Sequence, residues 1–501
     1  MRLLLLSLAF FAPANFEFPH KLDHAPTPEK HLPETMPGGI AVLDYDNDGR
    51  LDLFFTNAQG PCRLYRNVGD TRWQDATEGS GLITDGYTMG AAAADYDGDG
   101  RVDLFVTGLG ANWLFRNLGQ GKFQRVPFPP TGWSVSAAWL DYDLDGDLDL
   151  FIANYVQFNA AVEPYCGDRK AGYRTYCHPK HYRGLPNSLF RNDGLKSDGV
   201  KGFTDVTRAA GLTKHVGKGM GLAVADYDAD GWPDVLVTND AVPDFLFRNQ
   251  RDGTFAEVGM EAGIGLNDDG RALSSMGADF RDLDEDGRPD IFITALANET
   301  FPLFRNLGQG LFEDITYPTR IGAATIAYSG WSTGIYDFDN DGRKDIFAAN
   351  GDVNDNTEVF SSRRSRQQSL FLWNAGNGQF RAEAWGEAGR WRGAAFGDFN
   401  QDGAIDIALS RLGEAPVVWW NKRAGERAWL QMDVPLGTTA RIGKQSNHAT
   451  QAVGYASSSD AAIHFGLGEV ETVPEVELAF PGGKRKVLKN VKARQRLRVE
   501  P

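Results

Sequence analysis

Short apolar runs separated by acidic, glycine-bearing turns recur along most of the chain. Each recurrence opens with a small-residue run led by Gly or Ser, at residues 39–43, 90–94, 136–140, 221–225, 277–281, 332–336 and 393–397. An acidic turn follows, then a run rich in β-branched and aromatic residues, as at 51–55, 102–106, 148–152 and 291–293. Runs of this length and composition predict buried strands rather than helices. A third run ends in Asn, as in Leu64-Tyr65-Arg66-Asn67 and Leu114-Phe115-Arg116-Asn117, with further copies ending at Asn192, Asn249 and Asn306. Weaker copies are Leu372-Trp373-Asn374 and Trp419-Trp420-Asn421. A glycine-containing hairpin turn, such as 118–122, leads into a fourth run at 203–207, 255–258 and 312–316. Each unit therefore predicts four antiparallel strands.

The acidic turn is the most regular part of the unit. It reads D-x-D-x-D-G-x-x-D, and its acidic positions 1, 3, 5 and 9 recur seven times. They are Asp44, Asp46, Asp48 and Asp52; Asp95, Asp97, Asp99 and Asp103; Asp141, Asp143, Asp145 and Asp149; and Asp226, Asp228, Asp230 and Asp234. The later copies are Asp282, Asp284, Asp286 and Asp290; Asp337, Asp339, Asp341 and Asp345; and Asp398, Asn400, Asp402 and Asp406. Only Asn400 departs from Asp. Carboxylates at positions 1, 3 and 5 face inward, glycine at position 6 allows the tight turn, and position 7 offers its carbonyl. The Asp at position 9 closes an oxygen cage suited to a hard cation, so up to seven Ca²⁺ are expected.

Seven four-strand units predict an all-β fold: a seven-bladed β-propeller with calcium loops over 33–425, followed by a small C-terminal β domain over 426–501. The spacings between first aspartates are 51, 46, 85, 56, 55 and 61 residues, one blade each apart from a single insertion. A solenoid is the competing repeat architecture; even units without capping repeats argue against it. In a propeller the calcium loops share one face. Both large insertions, 155–186 and 353–369, fall between second and third strands and so decorate the opposite face. Asn57, Asn154, Asn239, Asp240, Asn298, Glu299, Asn350 and Asp352 end second strands and point the same way, ringing the channel mouth.

Composition alters this picture in three respects. The net charge is −16, and 27 of the 67 acids occupy loop ligand positions, so seven Ca²⁺ would bring the charge to about −2. No basic stripe exceeds a few residues, which speaks against nucleic acid. Residues 1–14 read as a signal peptide: Met1-Arg2, the apolar stretch 3–11, then Ala12-Pro13-Ala14 as a cleavage signal. The competing reading is a buried N-terminal strand. A short segment, 15–32, would precede the propeller, no other segment reaches membrane-spanning length, and an exported, periplasmic or extracellular protein is expected. In that setting Cys166 and Cys177 favour a disulfide, and Cys62 reads as a small buried residue.

The acidic loops, the Leu-Phe-Arg-Asn runs and the Phe-x-Asp-x-Thr stretches resemble the FG-GAP/VCBS repeats of integrin-α-type propellers. The tail Ile463-His464-Phe465-Gly466-Leu467-Gly468, with Pro481-Gly482-Gly483 and Gln495-Arg496-Leu497, is similar to the ASPIC/UnbV domain. The layout is that of the bacterial relatives of cartilage acidic protein. The segment at 439–443 is shorter than the family pattern and leads into Ser457-Ser458-Ser459. The basic run Lys484-Arg485-Lys486, Lys489, Lys492, Arg494, Arg496 and Arg498 reads as a solvated face or inter-domain contact, with a patch for an acidic polymer as the alternative.

Two classes of function remain open. One is an interaction module that grips a protein or glycan through the insertion face, with Asn154, His178, His181, Asn239, Asp240, Asn350 and Asp352 as candidate contacts. The other is a carbohydrate-active enzyme, a lyase or dehydratase, working from His178, His181, Lys218, Arg271 and Asp240 at the channel mouth. His178 and His181 are too few for a closed zinc site, and an oxidised Cys pair does not ligate. Binding is the preferred reading.

Overall fold

Among the described residues, the repeating units form seven four-stranded antiparallel sheets, six of them ordered from innermost to outermost strand along the chain and the seventh completed by a strand from the start of the chain. The computed structural model describes residues 11–13, 18–195, 201–422 and 427–501. The first sheet comprises Ile40–Leu43, Asp52–Phe55, Arg63–Asn67 and Trp73–Asp75. The innermost strand of each sheet packs on that of the next, and that of the first on that of the seventh, so the propeller ring is closed. Small residues open the inner strands because there is no room for more: a Cβ on Gly39 would lie 2.5 Å from Gly90 Cα and 2.3 Å from the Ala456 carbonyl.

A hydroxyl in each blade reaches the backbone of the next. Thr56 donates to Met89 O (2.9 Å), Thr107 to Val135 O (2.7 Å), and Ser136 to Met220 O. Thr238 then reaches Met276 O, Thr294 reaches Trp331 O (both 2.5 Å), Ser332 reaches Ala394 O (3.2 Å), and Ser410 closes the circle on Gly38 O.

Of the stretch read as a leader, residues 1–14, only 11–13 lie within the described residues, and they add a strand to the seventh sheet. Its outermost strand is Phe11–Pro13, paired with Trp419–Asn421. Phe11 is buried and stacks on Phe371 at 5.0 Å, with Phe338 and Trp385 edge-on. An apolar, aromatic stretch suits a leader and a buried edge strand equally well, and residues 11–13 take the outermost position of this sheet.

The C-terminal domain has a core of Leu430, Met432, Ile463, Phe465, Val476 and Leu478 between a three-stranded and a four-stranded sheet. Much of its basic run is paired at home: Lys489 with Glu475, Arg494 with Glu471, Arg496 with Asp433 and Asp460. The domain sits on the acidic-loop side. Lys344 Nζ bridges Asp282 O and Ser446 O at 2.9 Å each, and Gly468 N–H donates to Asn340 O at 2.9 Å.

From this domain a loop enters the propeller's channel and touches all seven blades. Ser458 exchanges backbone bonds with Ile40 and Val42, and Ala456 O accepts Ala91 N–H. Ser136 Oγ meets Ala456 N, Tyr455 bridges to Gly221, and Gly454 pairs with Ala278. Ser332 Oγ accepts Tyr455 N–H, and Ser459 Oγ accepts Phe396 N–H. The Ser-rich stretch is thus a plug: small enough for the channel, and polar enough to satisfy inner-strand amides that a dry pore would orphan. At its tip the Tyr455 hydroxyl donates to Met36 O (2.8 Å) and its ring meets Trp331 edge-on. Tyr455→Ala is expected to lower the unfolding free energy by about 3–5 kcal/mol, the usual cost of truncating a buried aromatic, read from the denaturant midpoint at unchanged slope.

Candidate metal loops and a cavity on the opposite face

The acidic loops repeat one hydrogen-bond scheme. In the first, Asp44 Oδ1 accepts Asp48 N–H (3.0 Å), Asp44 Oδ2 accepts Gly49 N–H (2.9 Å), and Asp48 Oδ1 accepts Arg50 N–H (3.0 Å). The glycine at position 6 has φ between +83° and +96° in all seven loops, a region that disfavours other residues. Carboxylate oxygens converge within 4.8 Å of one another at Asp44/Asp46/Asp48, Asp95/Asp97/Asp99, Asp141/Asp143/Asp149, Asp226/Asp228/Asp230 and Asp282/Asp284/Asp290. Three position-3 oxygens, on Asp46, Asp143 and Asp228, are buried without any hydrogen-bond partner. Desolvation, with the neighbouring loop carboxylates adding to it, pushes Asp52, Asp103 and Asp149 up to about 8. Orphaned oxygens among acids that resist ionising together are the environment a hard divalent cation relieves, so the donor set fits Ca²⁺.

Arginines from the third strands flank the cages: Arg66 Nε lies 2.6 Å from Asp46, and Arg116 Nε 2.5 Å from Asp97. The seventh loop differs. Asn400 Nδ2 donates to Asp402 (2.6 Å) and Gln431 Nε2 to Asp398 (3.1 Å), so amide donors from the loop and the C-terminal domain occupy its acceptors.

The position-9 aspartates also have a second task. Asp52 accepts the N–H of Tyr45 (3.2 Å) and of Asn67 (2.7 Å), tying the loop to the end of the third strand. That Asn then joins two blades. Asn117 Nδ2 donates to Val102 O of its own loop and Tyr45 O of the preceding one; Asn192 to Leu148 O and Tyr96 O; Asn249 to Pro233 O and Tyr142 O. Asn306, Asn374, Asn421 and Asn67 continue the pattern around the ring. The strand-ending Asn was visible as a repeat; its role as a blade-to-blade clamp was not.

On the opposite face, three of the expected contact residues are absorbed by the fold. Asn154 accepts from Ser134 and donates to Pro186 O; Asn239 accepts Lys218 N–H and donates to Pro243 O; Asn350 donates to Gln368 O. All three are buried clamps of second-to-third strand connections, which is what a polar residue at a buried strand end must become. Asp352 is buried and caps Asn354 N–H at 3.0 Å. His178 uses Nδ1 to accept Lys180 N–H (3.1 Å), starting the turn Pro179–His181; both histidines are exposed. The Cys166–Cys177 disulfide closes this insertion, and Cys62 is buried and free.

Asp240 and His178, however, line one cavity of about 160 Å³ at the channel mouth. Its wall is drawn from the segment before the first blade (Leu32, Thr35, Met36), the disulfide insertion (Tyr176 to Pro179), the second insertion (Val353, Asn354) and blade residues including Tyr155, Met276 and Trp331. The three segments are mutually tied. Glu34 accepts the hydroxyls of Thr27 (2.6 Å) and Tyr176 (3.1 Å), Leu32 N–H donates to Glu163 (3.1 Å), and Asn354 accepts Tyr176 N–H (3.0 Å). Behind Trp331 lies Arg392, fully buried, 3.8 Å from the ring centroid and donating to the carbonyls of Thr35, Trp391 and Asp352. Lys218 and Arg271 are not part of the cavity wall; Lys218 Nζ is held by Pro179 O at 2.9 Å.

Comparison with known proteins bears on the whole architecture. The FG-GAP-like repeat matches residues 44–106, 95–152, 226–293 and 282–348, and the ASPIC and UnbV domain matches 435–501. The chain is 26% identical over 512 residues to cartilage acidic protein 1 of Homo sapiens, covering 95% of this chain and 72% of that protein. To the Xenopus tropicalis protein it is 25% identical over 492 residues, covering 90% and 71%. Among solved structures, the BP39L lectin of Burkholderia pseudomallei is similar with a TM-score of 0.49 and 11% identity, over 78% of this chain and 97% of the lectin. The clamp geometry carries its own test: Asn249→Ala should cost about 1–3 kcal/mol in chemical denaturation, because it strands two carbonyls in different blades.

Proposed function

Since this chain belongs to the family of FG-GAP-repeat proteins that end in an ASPIC/UnbV domain and include cartilage acidic protein 1, we propose that it is an exported interaction module. Calcium in the acidic loops stiffens the propeller, and a protein or glycan ligand is gripped at the opposite face. One observation carries this reading: the C-terminal domain covers part of the loop face, while three separate segments of chain are brought together around the cavity at the other mouth. Long connections that converge on one concavity of a rigid scaffold are where binding is usually found. The disulfide supports export. Among the described residues no helix is long and apolar enough to cross a membrane.

The lyase reading has less support. A lyase needs a base beside a cation aimed at the substrate, whereas Lys218 is turned to a carbonyl, Arg271 is exposed away from the cavity, and His178 spends Nδ1 on a turn.

Calcium would be held by the carboxylates of loop positions 1, 3, 5 and 9, with the seventh loop weakest because amides already occupy it. Excess chelator should lower the melting temperature strongly and added calcium restore it. At ten times Kd each site adds about 1.4 kcal/mol, so several together rival a domain's net stability of about 5–15 kcal/mol. Unchanged melting, or stoichiometric zinc or copper on metal analysis, would remove calcium from the account.

The binding face is tested by filling its cavity. The calcium-loaded full chain is passed over immobilised glycan and extracellular-protein panels, and Val353→Trp is compared with Lys489→Glu on the C-terminal domain. Loss of capture by at least about tenfold in the first variant alone is the expected outcome. Equal capture by both variants would place the binding surface elsewhere.

A further inference from the structure

The disulfide insertion carries positive charge that its surroundings do not neutralise. Residues 155–186 hold five basic and two acidic side chains, in a chain of net charge −16. Elsewhere arginines find acids: Arg50, Arg101 and Arg251 pair with loop carboxylates, and Arg496 with Asp433 and Asp460. In the insertion, three cations sit on rings instead. The guanidinium carbons of Arg169 and Arg174 lie 4.9 and 4.8 Å from the centroid of the Tyr165 ring, and Lys170 Nζ lies 4.4 Å from that of Tyr173. Among the described residues, no carboxylate pairs with any of the three. The nearby acids are engaged elsewhere: Glu163 accepts Leu32 N–H (3.1 Å) and the Tyr182 hydroxyl, and Asp355 pairs with Lys30. Asp168, exposed beside Arg169, is the exception.

The arrangement is held from several sides. The Cys166–Cys177 bond closes a hairpin in which Tyr173 N–H donates to Lys170 O (3.0 Å) and Thr175 N–H to Cys166 O (3.1 Å). The Tyr165 hydroxyl donates to Asp168 O at 2.9 Å. From the second insertion, Asn356 Nδ2 donates to Gly172 O (2.8 Å) and Arg174 O (2.9 Å). Both guanidinium carbons therefore stand within about 10 Å of each other around one ring. Arg169 and Lys170 are exposed, and Arg174 is half-buried. A ring attracts a cation through its quadrupole but does not consume the outward N–H donors, which remain open to an oxyanion. Planar guanidinium forks match carboxylate and sulfate oxygens bidentately. Acidic side chains of a partner protein offer the same oxygens, but a protein interface needs apolar or aromatic anchors at a core poor in charge. Here the chain's own cations sit on the rings, and the exposed tip, Asp168 to Gly172, has no large apolar side chain. A hydrophilic chain with oxyanions at short intervals suits such a surface better.

We propose that Arg169, Lys170 and Arg174 bind a polyanionic glycan, one bearing carboxylate or sulfate groups, at the rim of the insertion face. This gives the ligand of that face a chemical class and rests on the reading of it as the binding face.

Calorimetric titration of the calcium-loaded full chain at about 0.15 M salt, where distant charges are screened, tests this. The probes are tetragalacturonate, sulfated maltotetraose, neutral maltotetraose and tetraglutamate. At least one anionic tetrasaccharide is expected to bind at least about tenfold more tightly than maltotetraose and than tetraglutamate. Tetragalacturonate in front identifies a uronate, sulfated maltotetraose a sulfate ester. The double variant Arg169→Lys/Arg174→Lys keeps every charge but loses the forks, and Tyr165→Leu unseats the pair without altering charge. Each should weaken the anionic tetrasaccharide by at least about tenfold, while Lys484→Gln/Arg485→Gln on the C-terminal domain leaves it unchanged. Equal binding of maltotetraose, or full affinity in Arg169→Lys/Arg174→Lys, overturns the proposal, the first without any variant. Tetraglutamate binding as tightly as the glycans overturns it in favour of an acidic protein. If both anionic tetrasaccharides fail while Val353→Trp still abolishes capture on the panels, the polyanion assignment falls and the binding face stands. If neither has an effect, both fall.

Discussion

Seven blades are held in one ring by two circles of side-chain-to-backbone hydrogen bonds, one at each end of the channel. At the acidic-loop end, the Asn that closes each third strand donates to its own loop and to the loop of the blade before it. At the other end, a Thr or Ser hydroxyl near the channel donates to the carbonyl of the blade after it. The two circles run in opposite senses, so each blade is fixed to both neighbours by different residues. Hydrophobic packing between sheets is strong but does not define register. Buried hydrogen bonds do, because a shift of one residue leaves donors and acceptors unpaired.

The acidic loops and the Asn clamps are one apparatus. The position-9 aspartate receives the clamp's backbone N–H and the position-2 N–H, and position 2 is also the residue whose carbonyl the next blade's Asn holds. A cation that draws positions 1, 3, 5 and 9 together therefore tightens the joint between blades as well as the loop. On the proposed reading, a divalent ion bound there would offset the cost of desolvating several carboxylates, and the gain would be carried to the neighbouring blade through the Asn clamp. The sixth blade makes the dependence visible. Asp345 keeps the bond to Asn374 N–H at 2.7 Å, but its Oδ2 is an orphan.

Much of this was legible in the sequence because it repeats. Loops, inner small-residue strands and Asn-ended third strands recur at blade spacing, and a repeated constraint stands out from its surroundings. What occurs once was harder to read. Phe11–Pro13 has the composition of a leader, and nothing in the local sequence announces its pairing with Trp419–Asn421. The plug at Gly454–Ser459 has no periodicity, since its residues answer to seven different blades. Asn154, Asn239 and Asn350 were rightly placed at the ends of second strands, but strand ends in a crowded ring are buried, so their amides serve backbone. Asp240 is buried as well and accepts the Tyr155 hydroxyl, but it also belongs to the wall of a cavity that three distant segments enclose. Leu32 and Met36 gave no sign of being part of it, because nothing local in 18–38 says that it crosses the channel mouth.

The plug turns the propeller from a tube into two separate faces. Tyr455 belongs to the C-terminal domain, yet its hydroxyl ends on Met36 and its ring on Trp331, both walls of the cavity. The domain that sits over the acidic loops thus also supports the cavity at the far mouth. Its loop passes between inner strands whose spacing the Asn and Thr circles set, so displacement at one face meets resistance along the whole channel rather than at a single contact. A rigid link of this kind keeps the cavity formed in the absence of ligand, which lowers the ordering cost of binding. It also accounts for the small residues of the plug, since a side chain larger than serine at 457–459 would have to push inner strands apart and break the hydrogen bonds that hold the ring.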